Sequence, residues 1–207
     1  MGHFIVYYNG KPLIIDVGVE TYTRKTFSPQ RYEIWTMQSA YHSLPTIDGI
    51  MQAPGKEFAA RDVTYSADDE SAAFNLELAL AYPPQAQLLS WKRSIELQRG
   101  QQVKLTDSYE LEQSPSSLML SLMTPCQIDL STPGSILLTE AVHANGRLSA
   151  SGEIVFYPGN FTISIEEISI KDTRLGSTWG QQVKRIIFTA ANVDRKGKWI
   201  IQIRGKE

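Results

Sequence analysis

The sequence has few cysteines, no long apolar run and little net charge, and each of these features excludes a class of protein. It contains one cysteine, Cys126, so a framework of internal disulfide bonds is excluded. No stretch approaches the roughly 18 consecutive apolar residues that a membrane-spanning helix needs. The charges nearly balance, with 20 Lys and Arg against 22 Asp and Glu, and the net charge of −2 gives no overall attraction to nucleic acid or anionic lipid. We therefore expect neither nucleic acid nor a membrane as a partner.

The sequence also lacks the short motifs that mark common enzyme classes. It has no glycine-rich phosphate loop, no Gly-x-Ser-x-Gly and no His-Glu-x-x-His. Histidine occurs three times. His143 stands beside Asn145-Gly146 and is expected at the surface of a turn, whereas Cys126, in an apolar region, is expected to be buried and unreactive.

Short apolar segments separated by turn residues dominate what is present. Two of them, residues 4–8 and 12–17, are joined by Asn9-Gly10, a strong signal for a hairpin because a type I′ turn needs two residues with positive φ. Residues 88–98 and 101–112 predict a second hairpin around Arg99-Gly100, in which Asp107 interrupts the apolar face. Residues 72–82 alternate at period two and are predicted to be one strand.

The later segments complete a pattern of many short strands. Residues 117–123 are apolar on both sides, as expected of a strand between two layers or inside a large sheet. Two strands flank the turn Pro158-Gly159-Asn160, and residues 184–190 and 199–203 are predicted to form the last hairpin. A helical turn or two is expected at residues 28–39, with Ser28 as N-cap and Pro29 at the first position. The pattern predicts an all-β fold, an antiparallel β-sandwich of two large stacked sheets with long connections and little helix.

One carboxylate and one imidazole are the candidate chemical groups of the N-terminal region. Asp16 lies at the far end of the second predicted strand, and the polar segment that follows leads to His42. Zinc accepts both ligand types at about 2 Å, but a structural site normally has four ligands. From the residues alone, a metal ligand and an ordinary solvated or core histidine both remain open for His42.

Several spaced motifs in the first 63 residues resemble a known family. They are Gly-x-Phe-Ile-x-Tyr-Tyr from Gly2, Gly-x-Pro-Leu-x-Ile-Asp-x-Gly from Gly10, Thr-Tyr-Thr at 21–23, Ala-Tyr-His at 40–42 and Ile-Asp-Gly at 47–49. Together they resemble the C-terminal β-sandwich domain of the heparinase II/III-like polysaccharide lyases. The resemblance continues weakly to the end of the chain and implies a single domain over residues 1–207. Because a strand follows Met1 almost at once, we interpret the chain as cut from a longer one, with a large helical domain upstream.

The resemblance implies a zinc site in this domain and catalytic residues in the upstream domain. In the family, the zinc ligands are a histidine just before the position of Gly2, an aspartate matching Asp16 and a histidine matching His42. His3 lies at a variable position and is not expected to be a ligand. Zinc is accordingly expected in the full-length parent, and only weakly bound or missing in this chain. The catalytic base, acid and carboxylate-neutralising groups of a β-elimination are expected upstream, so this chain should contain no catalytic residue.

The segment between the two implied ligands carries basic and aromatic side chains that fit an acidic sugar. The candidates for substrate binding are Tyr22, Arg24, Lys25, Arg31, Tyr32 and Tyr41. Ordinary solvated surface charge is the alternative for each of them. The four tryptophans, Trp35, Trp91, Trp179 and Trp199, could likewise be sugar platforms or core residues.

Three functions remain open at this stage. The first is the C-terminal domain of a lyase that cleaves a uronate-containing acidic polysaccharide, inactive alone, with that polysaccharide and the parent's helical domain as partners. The second is a stand-alone carbohydrate-binding module, and the third is a sandwich used only for packing, in which Asp16 and His42 share no site. The resemblance favours the periplasm or the outside of a bacterial cell, and the cytoplasm stays open.

Overall fold

The computed structural model describes residues 1–206. The strands are β1 Val6–Tyr8, β2 Lys11–Ile14, β3 Pro45–Ile47, β4 Arg61–Ala67, β5 Ser71–Glu77, β6 Leu88–Gln98, β7 Gln102–Leu111, β8 Leu118–Thr124, β9 Gln127–Asp129, β10 Ser135–Thr139, β11 Ser151–Phe156, β12 Phe161–Ser169, β13 Gln182–Ala190 and β14 Lys196–Lys206, with one α-helix, α1 Thr173–Trp179. Short 3-10 helices cover Lys25–Phe27, Pro29–Glu33, Trp35–Met37, Ser39–Tyr41, Ala79–Ala81, Pro84–Ala86 and Pro158–Asn160. None of the helices in this range is long and apolar enough to cross a membrane.

The strands form two large antiparallel sheets, which confirms the predicted all-β sandwich. The eight-stranded sheet has the order β4-β5-β6-β7-β14-β11-β10-β9, and the four-stranded sheet has the order β12-β13-β8-β3. The hairpin β1–β2 forms a small third sheet. Its turn has φ of 49° at Asn9 and 75° at Gly10, as the Asn-Gly signal predicts.

The chain changes sheet at one predicted turn and within one predicted hairpin, and the hairpin prediction is wrong. Strands β11 and β12 flank the turn at residues 158–160, but β11 pairs with β10 and β14 while β12 pairs with β13. The predicted last hairpin is also split, since β13 pairs with β8 and β12 while β14 pairs with β7 and β11. Alternation within a strand shows which face is apolar, but it does not specify the neighbouring strand, so a turn within a sheet and a crossing between sheets look alike.

Two smaller predictions also need correction. The strand expected over residues 72–82 ends at Glu77, because the Glu77 carboxylate accepts hydrogen bonds from the backbone N–H groups of Ala79 and Trp91 and the chain then turns into a 3-10 helix. His143, expected at the surface, is buried with 6% of its surface exposed. Cys126 is buried as predicted, and this burial raises the pKa of its thiol.

The main core lies between the two sheets and is rich in aromatic rings. Trp91 stacks on Tyr109 with ring centroids 5.2 Å apart, and Trp199 meets Trp91 edge-on at 5.5 Å. Phe161 and Phe188 continue the same cluster. Trp91 and Trp199 are therefore core residues, and the sugar-platform alternative is wrong for them.

A second, smaller core covers the opposite face of the four-stranded sheet. Met123 belongs to it, whereas its neighbour Leu122 belongs to the main core, so successive side chains of β8 serve the two cores. This accounts for the two-sided apolar pattern of residues 117–123. Trp35 and Trp179 pack partly buried against the second core, and their indole N–H groups donate to Glu20 and to the Val17 carbonyl. The segment from residue 18 to residue 44 is thereby fixed on the sheet.

Candidate metal centre

Three side chains from separate parts of the chain meet beside the four-stranded sheet. His3 Nε2 lies 3.3 Å from Asp16 Oδ2, and His42 Nδ1 lies 3.7 Å from the same oxygen. The two imidazole rings meet edge-on with centroids 4.9 Å apart. One ligand atom of each residue lies within 4.8 Å of the other two, so the group has the dimensions of a metal site. The structure therefore brings Asp16 and His42 together, as the resemblance implies.

The backbone after β2 presents the Asp16 carboxylate to this group. β2 ends at Ile14, and Ile15 then donates its N–H to the Met123 carbonyl of β8 at 2.9 Å. The chain turns at Gly18, where φ is 88°, and the Gly18 N–H donates to Asp16 Oδ1 at 2.8 Å. One carboxylate oxygen is thus occupied by the backbone, and the other faces the histidines.

His42 has the arrangement of a metal-binding imidazole. Its Nε2 lies 3.2 Å from the Thr36 carbonyl oxygen, which can only accept a hydrogen bond, so we place the ring proton on Nε2. Burial lowers the pKa of His42, which keeps the ring neutral at pH 7. The lone pair of Nδ1 therefore faces the Asp16 carboxylate. A hydrogen bond from the non-ligating nitrogen to a carbonyl is the usual support of a metal-bound histidine.

A divalent cation fits between Asp16 and His42. Two ligand atoms that are each about 2 Å from a tetrahedral zinc lie roughly 3.3 Å apart, close to the observed 3.7 Å. Contact with His3 is the largest of the effects that lower the pKa of Asp16 to about 2, so the carboxylate is ionised and ready to bind a cation. A lone pair facing a carboxylate oxygen is repulsive, and a cation between the two atoms would remove that repulsion.

His3 lies in the group, although the resemblance implies that its position is outside the metal site. The Ser43 N–H donates to His3 Nδ1 at 2.9 Å, which assigns the ring proton of neutral His3 to Nε2. That N–H faces Asp16 and has no well-aligned hydrogen-bond partner within residues 1–206. In this orientation His3 holds the carboxylate rather than offering a lone pair. Ligation by His3 would require the ring to give up its bond to Ser43.

A buried ion pair that the sequence analysis missed underlies the group. Arg93 on β6 and Asp107 on β7 face each other across the hairpin, each 1% exposed, and make two parallel contacts of 2.8 and 2.6 Å. The remaining guanidinium nitrogen donates to the carbonyls of Gly2 at 2.9 Å and Ser43 at 2.5 Å. Those residues are the neighbours of His3 and His42. Arg93 therefore ties together the two backbone segments that carry the histidines.

A signal for this pair exists in the sequence. The Arg99-Gly100 turn sets a register in which residue 93 faces residue 107, and each interrupts the apolar face of its strand. Opposite charges at facing inward positions of one hairpin indicate a buried pair. No comparable local signal identifies His3, because its partners lie 13 and 39 residues away along the chain.

The structure places the six candidate sugar-binding residues in two different environments. Tyr22, Arg24, Arg31 and Tyr32 are exposed, and Tyr32 lines the same groove as His3, Asp16 and His42. Lys25 forms an ion pair of 2.9 Å with Glu33. Tyr41 is half-buried, with its ring 5.3 Å from Trp35 and the Arg185 guanidinium 4.6 Å above it. The ring of Tyr41 is thus already packed within the protein.

Comparison with known proteins identifies the fold. The sequence matches no protein-family model and no curated protein. Among solved structures, the heparan sulfate lyase HepC from Pedobacter heparinus superposes with a TM-score of 0.72 at 14% identity, over 100% of this chain and 30% of that one. A heparinase III superposes with a TM-score of 0.67 at 16% identity, over 99% of this chain and 29% of that one. The chain thus spans about 30% of these structures, and its fold is that of the matching β-sandwich part of heparinase II/III-type lyases.

Proposed function

We propose that this chain is the C-terminal domain of a larger lyase that cleaves a uronate-containing acidic polysaccharide by β-elimination. The observation that carries the proposal is the superposition of the whole chain on about 30% of a heparan sulfate lyase. The rest of such an enzyme would supply the base that removes the proton next to the uronate carboxylate and the acid that protonates the leaving oxygen. The chain is then inactive alone, and a neighbouring helical domain is its partner.

Within that enzyme, the role we assign to the His3–Asp16–His42 group is to hold a structural metal ion, with zinc as the expected metal. Asp16 offers an ionised oxygen, and His42 offers a neutral nitrogen lone pair supported by the Thr36 carbonyl. A bound zinc ion would cross-link the end of β2 to the segment that precedes β3. With two ligands ready and His3 turned toward Asp16, we expect this chain alone to bind zinc weakly.

The exposed side chains of the connecting segment would form one wall of the substrate cleft. Tyr22 and Tyr32 are 56% and 45% exposed and offer ring faces, while Arg24 and Arg31 offer guanidinium groups to uronate or sulfate oxygens. Lys25 remains a weaker candidate because Glu33 partly neutralises it. Tyr41 would support the wall from behind, since Trp35 and Arg185 occupy its ring.

The packing-only alternative predicts that Asp16 and His42 share no site, and their separation of 3.7 Å argues against it. Zinc titration of the chain by isothermal calorimetry tests the proposed metal role. We expect one weak site per chain, and loss of the heat signal in Asp16→Asn. Asp129→Asn is the matched control, because Asp129 is an exposed carboxylate that bonds only Ser131 among the described residues. Equal zinc binding by the Asp16 and Asp129 variants would contradict the assignment.

A further inference from the structure

A second cavity, separate from the metal centre, has the features of a ligand site. It encloses about 520 Å³ between the β1–β2 hairpin, the segment from residue 143 to residue 148 and the C-terminal end of α1. It shares no lining residue with the groove at His3, Asp16 and His42. Its volume lies within the range of small-ligand pockets.

Both the aromatic and the charged residues of this cavity suit an anionic ring-shaped ligand. Trp179 and Tyr7 line it, and Tyr7 is 52% exposed. The Trp179 N–H is already donated to the Val17 carbonyl, so the indole offers carbon surface to an occupant. The charged residues in the lining are two cations, Lys11 and Arg147, with no carboxylate.

The two cations are not equally committed to other partners. Lys11 forms an ion pair with Glu140 at 2.5 Å, whereas the Arg147 guanidinium makes no hydrogen bond or ion pair within the part of the chain that is described. Arg147 is held only through its backbone, where its N–H donates to Asn145 Oδ1 at 3.0 Å and its carbonyl accepts from the His143 N–H at 2.8 Å. Its planar group is therefore free to pair with a carboxylate or sulfate.

His143 also lines the cavity, and its ring has a buried polar atom without a partner. The ring is 6% exposed and lies edge-on to Trp179 with centroids 5.6 Å apart, and its Nε2 has no hydrogen-bond partner among residues 1–206. A buried nitrogen without a partner destabilises the folded state, and a ligand hydroxyl or an ordered water that reached it would supply the missing hydrogen bond. Hydroxyl groups next to an acidic group on a ring are the chemistry of a uronic acid or a sulfated sugar.

We infer that this cavity is a second saccharide-binding site, which takes an acidic sugar unit with its ring against Trp179 and Tyr7 and its charged group on Arg147. The choice of a sugar among anionic ligands rests on the proposed function, whereas the cavity and its free cation do not. Such a site would bind the polysaccharide at a point outside the cleft. It would thereby increase the effective concentration of the polysaccharide at the metal-centre groove.

The test is a titration of the 207-residue chain with a heparin-derived tetrasaccharide, followed by the indole N–H signals in two-dimensional NMR. Trp179→Phe assigns the Trp179 signal. We expect a saturable shift of that signal, and affinity at least tenfold lower in Arg147→Gln. Lys92→Gln is the matched control, because it also removes one exposed positive charge that has no hydrogen bond or ion pair among residues 1–206. Lys92 lies on β6 and does not line the cavity.

Each other outcome overturns a defined part of the inference. Binding that shifts other signals but leaves Trp179 unchanged would overturn the second site and leave the proposed function intact. An equal Trp179 shift with sodium sulfate alone would overturn the assignment to a sugar. Equal losses of affinity in Arg147→Gln and Lys92→Gln would show nonspecific attraction and remove Arg147 from the site. The absence of any response to the tetrasaccharide would overturn the second site, while zinc binding would still test the metal role separately.

Discussion

At the scale of single residues, the two histidines of the metal centre have different roles because one ring nitrogen of each is fixed by a different kind of partner. The partner of His42 is a hydrogen-bond acceptor, and the partner of His3 is a hydrogen-bond donor. His42 Nε2 faces a carbonyl, which leaves Nδ1 free to bind a cation, whereas His3 Nδ1 accepts from a backbone N–H, which leaves a proton on Nε2. The identity of the two residues does not show this difference. It follows only from the folded positions of Thr36 and Ser43.

This difference predicts unequal effects of replacing the two histidines. His42→Ala should abolish measurable zinc binding by calorimetry, because it removes a ligand. His3→Gln should weaken binding only about tenfold, the lower range for a residue that orients a ligand. Equal losses in the two variants would show that His3 is itself a ligand and that its bond to Ser43 breaks on binding.

The buried pair Arg93–Asp107 leads to a stability prediction. Asp107→Leu should lower the free energy of unfolding by about 3–5 kcal/mol, because it leaves the Arg93 charge buried without its carboxylate. Urea unfolding followed by circular dichroism measures this loss. The double variant Arg93→Met with Asp107→Leu should recover most of it.

A measurement of zinc affinity separates the effect of this pair on stability from its effect on the metal site. The double variant should keep a weakened metal site, because the carbonyls of Gly2 and Ser43 lose the donor that ties them together. Full zinc affinity in a stable double variant would show that Arg93 has no positioning role.

At the scale of secondary-structure elements, the hairpin β1–β2 is held against the large sheet through a glycine. A Cβ at Gly205 of β14 would lie 2.1 Å from the Tyr8 ring, so only glycine allows this ring to pack there. Gly205→Ala should therefore lower the free energy of unfolding by about 1–3 kcal/mol. It should also speed amide exchange of β1 and β2, which hydrogen-exchange mass spectrometry measures.

Gly176→Ala in α1 is the control for that substitution. Its Cβ would meet only Ile170 at an ordinary 3.9 Å, and alanine favours a helix, so stability should be unchanged or rise by up to about 1 kcal/mol. Similar destabilisation by the two substitutions would mean that the Tyr8 contact is not the cause.

Elements formed by local signals were predictable from the sequence, and connections between the sheets were not. Asn9-Gly10 and Arg99-Gly100 each specify a hairpin within a few residues, and Ser28 caps a 3-10 helix as expected by accepting the Gln30 N–H. The turn at residues 158–160 instead carries the chain from one sheet to the other. That outcome depends on β14 pairing with β7 and β11, which lie far apart in sequence.

At the scale of the whole molecule, the pairing of β14 argues for one cooperative unit. β14 lies between β7 and β11 near the middle of the eight-stranded sheet, and its Trp199 packs in the same core as Trp91 of β6. We therefore predict a single unfolding transition in urea, with coincident midpoints by tryptophan fluorescence and circular dichroism. Two separated midpoints would contradict the prediction of one domain over residues 1–207.

The proposed structural role of the metal centre requires that the sandwich binds a metal ion between β2 and the connection that follows it. The most direct measurement is anomalous X-ray diffraction at the zinc absorption edge, from crystals of the chain grown with zinc. We expect an anomalous peak about 2 Å from both Asp16 Oδ2 and His42 Nδ1. A structure from the same crystals with zinc bound only at other residues, or with no anomalous peak beside Asp16, would contradict it.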